Sequence, residues 1–173
     1  MPDANYCPAQ EILEVVDDQD RVIGSAPRAD IHANSWRHRA AHVFLFNPQG
    51  QIYVQRRSAS KDRFPGALDS SAAGHVEPGE GYEEAAIREL QEELGIHAQL
   101  DEALRVPASE ITDYEHVVVY RADADQEPRP NAEEIQWGGF MAPERLTLLM
   151  ERNPDDFVPG FIYLWREYLR LKK

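Results

Sequence analysis

Between Gly74 and Ile96 the chain reads GHVEPGEGYEEAAIRELQEELGI, seven glutamates with one arginine, Arg88, among them. On a helix Glu89 and Glu92 are spaced i,i+3, and Glu89 and Glu93 i,i+4, so three carboxylates converge on one patch. Like charges so placed repel. A hard divalent cation removes that repulsion, and an all-oxygen donor set suits magnesium or manganese. The loop ahead of the helix carries Pro78, Gly79 and Gly81. Its glycines let backbone N–H and C=O groups come close to a ligand. Without a ligand, the same residues would form a solvated acidic stripe, with Arg88 bridging Glu84 and Glu92.

The elements around this stretch must hold it in place. On a helical wheel Ala86, Ile87, Leu90 and Leu94 share one arc, and Glu84, Arg88, Glu89, Glu92 and Glu93 fill the opposite one. The spacing therefore predicts a helix from Tyr82 that buries the Ile87 side and ends at Gly95, a C-cap glycine. Upstream, β-rich runs flank Asn47-Pro48-Gln49-Gly50 within 42–57, which reads as a hairpin. Residues 11–28 read as a further hairpin around an Asp-rich turn. Downstream come a strand over 113–124, another in EIQWGGFM, and two amphipathic helices, APERLTLLMERN and FIYLWREYLRLKK. The mix predicts a single domain, 1–173, of α+β or α/β type.

The chain has 173 residues, 42% hydrophobic and 28% charged, with a formal net charge of −13. That charge disfavours a nucleic acid or an anionic membrane as partner, but an anionic substrate fits if a metal carries positive charge locally. Cys7 is the one cysteine, which suits a reducing cytoplasm. No apolar run approaches the length of a membrane span. A monomer and a homodimer both fit.

The acidic stretch resembles the Nudix box, G-x5-E-x7-R-E-U-x-E-E-x-G-U with U a bulky apolar residue. Gly74, Glu80, Arg88, Glu89, Leu90, Glu92, Glu93, Gly95 and Ile96 occupy its fixed positions without a gap. From average residue usage, a chance match has a probability on the order of 10⁻⁷. The resemblance implies an α/β fold: a Nudix-type α/β/α sandwich with a mixed sheet and the Nudix loop-helix. It implies a metal-dependent hydrolase of a small-molecule diphosphate, a nucleoside diphosphate or a compound linked to one. Carried over by position, Glu92 and Glu93 are Mg2+ ligands (Mn2+ being the alternative), Glu89 is a third, and the carbonyl of Ala73 is a fourth. Arg88 orients the carboxylates, and Glu80 supports the loop or a metal-bound water. The general base stays open between Glu89 and Glu133 or Glu134.

Residues 37–75 also resemble the subgroup of isopentenyl diphosphate isomerase and its hydrolase-like relatives, through Arg56-Arg57, the FPGALD loop and the Gly-His opening of the box. That resemblance places His38, His75 and Glu115 at metal-ligand positions, with Asp113 in place of a glutamate and His32 within one residue of a further ligand. They are either a second metal site or inherited scaffold. The isomerase needs a cysteine just before Gly-His; this chain has Ala73. An isomerase-like enzyme is therefore the alternative reading, and a nucleotide-binding sensor without turnover another. Arg56, Arg57, Lys61 and Arg63 form a basic cluster suited to phosphate, with Gly74 beside the substrate. Trp36, Phe64, Tyr114 and Trp137 are either a ring-binding wall or core.

Overall fold

A computed structural model describes residues 8–172. Cys7 lies outside the described residues. The first strands, β1 (Ile12–Val16) and β2 (Val22–Pro27), form an antiparallel hairpin. Asp17 closes its turn by accepting from the N–H groups of Gln19 and Arg21, both at 2.9 Å. A short helix, α1 (Arg28–Ala33), follows, then the long strand β3 (His38–Phe46) and β4 (Ile52–Arg57). Between these two, Asn47 accepts from the N–H groups of Gln49 and Gln51, and Gly50 takes φ 73°, as the Asn-Pro-x-Gly turn demands.

Strands β5 (Leu68–Asp69) and β6 (Ala72–His75) lead through the glycine loop into α2 (Tyr82–Leu94). Then come β7 (Leu100–Val106), β8 (Glu115–Asp123), β9 (Ile135–Met141), α3 (Pro143–Arg152) and α4 (Pro159–Leu171). Elements α1 and β7 have no counterpart in the sequence reading. One is too short for a helical period, and the other carries exposed polar residues on an edge strand.

The main sheet runs β5-β4-β3-β8-β7, with β6 beside β3 and β9 beside β4. Strands β3 and β8 are parallel, starting at His38 opposite Glu115; the other described pairs are antiparallel. The sheet is therefore mixed. Alternation along β3 splits the core in two. Ala40, Phe44 and Phe46 join Phe161, Leu164 and Trp165 of α4. Ala41, Val43 and Leu45 join Ala85, Ala86, Leu90 and Leu94 of α2. Helices thus cover both faces, giving the α/β/α sandwich. Phe44 meets Trp165 edge-on at 5.6 Å, and each fully buried large side chain contributes about 1.5–3 kcal/mol.

Helix α2 starts where the Glu84 carboxylate accepts from the Gly81 N–H at 2.8 Å, and it stops at Gly95 with φ 64°. Its buried face differs from the one the wheel centred on apolar residues predicts. Ala85, Ala86, Leu90, Glu93 and Leu94 are buried, while Ile87 is 46% exposed. The helix is rolled so that Glu93, not Ile87, meets the sheet, because Gln55 on β4 supplies a hydrogen bond there.

The N-terminal hairpin braces the loop-helix. Tyr82 donates to Asp20 at 2.9 Å, Arg39 reaches both Asp20 and Glu14, and Glu14 accepts from the Gly79 N–H at 3.3 Å. His116 accepts from the Ala108 N–H at Nδ1, so its Nε2–H donates to the Asp17 carbonyl at 2.9 Å.

Candidate active site

Arg88 organises the carboxylates. Its Nε donates to Glu80 at 2.9 Å, Nη1 to Glu89 at 2.6 Å and to Glu92 at 3.4 Å, and Nη2 to the His75 carbonyl at 3.0 Å. Glu84 caps the helix and is not Arg88's partner. Burial would raise the Glu80 carboxyl, but its Arg88 pair holds it below the ordinary range. Glu89 and Glu93 go the other way. Burial pushes Glu89 up to about 7 against the pull of Arg88. Burial and the neighbouring Glu89 charge push Glu93 up to about 8, despite Lys61 and a 2.5 Å bond from Gln55. The Glu92 side chain is 58% exposed.

Two adjoining carboxylates that burial drives toward neutrality fit a divalent cation, which would restore both charges in place. Gly74 is part of that fit. A Cβ there would lie 1.9 Å from Glu89 Oε1. Gly74→Ala is therefore expected to displace the Glu89 carboxylate from β6. Activity should fall by at least about tenfold, while the thermal midpoint moves little because a side-chain end can swing away. A parallel melt and rate assay checks this, and unchanged kcat/KM would refute the close approach.

A second cluster lies across β6. One ring nitrogen each from His32, His38 and His75 falls within a 4.8 Å group. Glu115 Oε1 is 3.5 Å from His38 Nε2 and 3.3 Å from His75 Nε2, and Glu11 is 3.7 Å from His75 Nδ1. His38 Nδ1 lies 2.9 Å from the Trp36 carbonyl, which can only accept. In the neutral ring Nε2 therefore carries a lone pair aimed at the cluster. That Nε2 and both ring nitrogens of His32 are buried without a hydrogen-bond partner. Orphaned imidazole nitrogens beside a buried carboxylate fit a transition-metal ion.

Burial alone would lower His75, but the Glu11 and Glu115 carboxylates beside it raise it to about 9. Burial would raise Glu115, yet His38 and His75 hold it well below the ordinary range. Asp113 lies 3.4 Å from His32 and is paired with Arg63. Ser35, Phe64, Asp113 and Tyr114, next to these residues in sequence, all take left-handed backbone angles; such strain concentrates at functional sites.

The remaining sequence-selected residues divide. Lys61 comes to the acidic face: burial lowers its pKa, Glu93 and Glu89 raise it, and it is paired with Glu134. Glu134 is thereby brought to the site, whereas Glu133 is exposed. Arg57 donates to Asp69 at 3.1 Å, and Arg56 to the Gly66 carbonyl at 2.7 Å, so both brace the FPGALD loop. Ala73 sits in β6 in register with His42. Trp36, Phe64 and Trp137 are exposed, and Tyr114 is half-buried.

The sequence reading missed Glu11 and Arg28. Arg28 is buried on α1, pairs with Asp62 at 2.9 Å and leaves its Nε without a partner. Its signal was the i,i+4 spacing to His32, which sets both on one face of a helix.

Comparison with known proteins gives the family. The NUDIX domain family matches residues 36–161. An uncharacterised Nudix hydrolase of Pseudomonas aeruginosa is 39% identical over 92% of this chain and 94% of its own length. An isopentenyl-diphosphate Delta-isomerase of Halorhodospira halophila is 33% identical over 91% of this chain and 94% of its own. A crystal structure from Deinococcus radiodurans superposes with a TM-score of 0.81 at 32% identity, covering 91% of this chain and 98% of that one. With the box residues gathered around one buried acidic pair, the chain belongs to the Nudix hydrolases, a family that uses divalent cations on small-molecule substrates.

Proposed function

We propose that the protein is a magnesium-dependent pyrophosphohydrolase, manganese substituting, that cleaves a nucleoside diphosphate or a compound linked to one. The observation that carries this reading is the buried Glu89–Glu93 pair, with Arg88 on one side and Lys61 on the other. Magnesium held by Glu92, Glu93 and the Ala73 carbonyl would neutralise the diphosphate and activate a water. Lys61 and Arg28 face the diphosphate oxygens, and Glu134 orients Lys61. Arg88 grips Glu89 Oε1, which leaves Oε2 to take the proton of the attacking water. The exposed rings of Trp36 and Trp137 offer a surface for a base.

Among the described residues no helix is long and apolar enough to cross a membrane. We place the enzyme in the cytoplasm, as one domain with the hairpin as its extension, monomeric or homodimeric. The test is a panel of nucleoside di- and triphosphates, sugar nucleotides, dinucleotides and isoprenyl diphosphates with magnesium, read by ion-exchange chromatography of the phosphorylated products. Cleavage of none of them would overturn the reading.

The histidine cluster and the similarity to an isopentenyl-diphosphate Delta-isomerase favour an isomerase-like reading. Ala73 opposes it, because it puts a methyl group where proton transfer needs a thiol. No interconversion of isopentenyl and dimethylallyl diphosphate is expected. Turnover of that pair in proportion to enzyme, followed by chromatography of the dephosphorylated alcohols, would reverse this assignment.

A further inference from the structure

We propose that His42 is a substrate-contacting residue, and that its imidazole selects a diphosphate whose organic group carries a hydroxyl or ring oxygen beside the diphosphate. The proposal rests on the hydrolase reading above and adds to it the chemistry of the group being held.

The placement follows from the sheet. On β3, His38, Ala40 and His42 point to one face, opposite to Ala41 and Val43. On β6, His75 stands opposite Ala40 and Ala73 opposite His42. His42 is thus the diagonal neighbour of His75, at a spacing of about 7–8 Å. It lies on the face of the sheet that carries His38 and His75, directly beside Ala73. A methyl group is all that covers it from that strand.

The ring is fixed but only half satisfied. Nδ1 is 2.8 Å from the hydroxyl of Ser70, which is fully buried. Ser70 is held in turn by its own N–H, which donates to Asp69 at 2.8 Å. Nε2 makes no hydrogen bond to any described residue, and it is not among the polar atoms sealed from solvent. A histidine kept only for packing would satisfy both nitrogens or give way to an apolar ring. An oriented imidazole with one free nitrogen instead offers a directional hydrogen bond to a polar ligand atom. An alkyl group in the same place would leave that nitrogen unpaired, and sites built around a hydrogen bond discriminate strongly on that ground.

The test compares kcat/KM for a nucleoside diphosphate sugar and for isopentenyl diphosphate, both read with magnesium as the monophosphate products separated by ion-exchange chromatography. Wild type should prefer the hydroxylated substrate. His42→Phe keeps a ring and removes both nitrogens; it should shrink the preference by at least about tenfold, through loss on the hydroxylated substrate. Ser70→Ala should shrink it less, because the imidazole stays but loses its orientation. If His42→Phe fails to fold, as melting would show, His42→Gln and Ser70→Ala carry the comparison. A general structural defect lowers both rates together, so an unchanged ratio in folded variants overturns the His42 assignment. Wild type that turns over both substrates equally overturns it alone. Wild type that cleaves neither, and nothing else in the panel, removes the hydrolase reading and this proposal with it.

Discussion

Glu93→Gln is expected to yield a metal-free protein more stable than wild type and close to inactive. Glu93 is 5% exposed, and its carboxyl sits at about 8 where an unfolded chain would have 4.5. At pH 7 the native state therefore holds a proton that the unfolded chain releases, at a cost of roughly 3 kcal/mol. Glutamine has nearly the same volume and no proton to hold. Its carbonyl keeps the bond from Gln55, and its amide can face Glu89. The metal-free midpoint should rise by roughly 5–10 °C. With magnesium, kcat/KM should fall by at least about 10²-fold, since one ligand charge is gone from a buried site. Glu83→Gln, on the exposed flank of the same helix, should retain near-normal rates. The opposite movement of stability and activity is the signature, because a folding defect lowers both. A folded Glu93→Gln enzyme within about threefold of the wild-type rate would remove Glu93 from the metal site.

The helix boundaries, the capping glycine and the box spacing were legible because they are local. Gly95 needs a left-handed angle whatever surrounds it, and the i,i+3 and i,i+4 spacings converge on any helix. The roll of α2 was not legible. Apolar residues alone place Ile87 in the core, and only the position of Gln55 on β4 shows that a carboxylate takes that face. The histidine cluster was half legible. His38, His75 and Glu115 followed from resemblance, which left His32 one residue away from a ligand position; α1, a helix too short to show a period, brings it into the cluster. Glu11 joins the site through long-range packing of the N-terminal hairpin, which no window of sequence reports, while Arg28 offered only its i,i+4 spacing to His32 on α1. Glu93 looked like one of three equal carboxylates; burial makes it unlike Glu92, and burial is a property of the fold.

The same burial gives the metal-free protein a pH dependence that magnesium should invert. Glu89 and Glu93 have native values of about 7 and about 8, above their ordinary 4.5. A carboxyl raised in this way contributes stability that is complete below 4.5 and is lost as pH climbs through 7 and 8. His75, raised from 6.5 to about 9, is lost in the same direction at still higher pH. Glu115 and Glu11 are lowered, so their contribution is present above the ordinary carboxyl value and disappears only in acid. Together these place the metal-free optimum near pH 5–6, with a fall of several degrees by pH 9. Magnesium competes with protons for Glu89 and Glu93, so its stabilisation should be small at pH 6 and large at pH 8.5. At a hundred times its dissociation constant it contributes about 2.7 kcal/mol, enough to offset much of the alkaline loss. Calorimetry in chelator and in millimolar magnesium, at half-unit steps from pH 5 to 9, reads both trends. Glu93→Gln should flatten the chelator curve and reduce the magnesium shift. A midpoint in chelator that rises from pH 6 to 9, or a magnesium shift equal at both ends, would mean that the two carboxylates are ionised without a cation and that the site is mere surface charge.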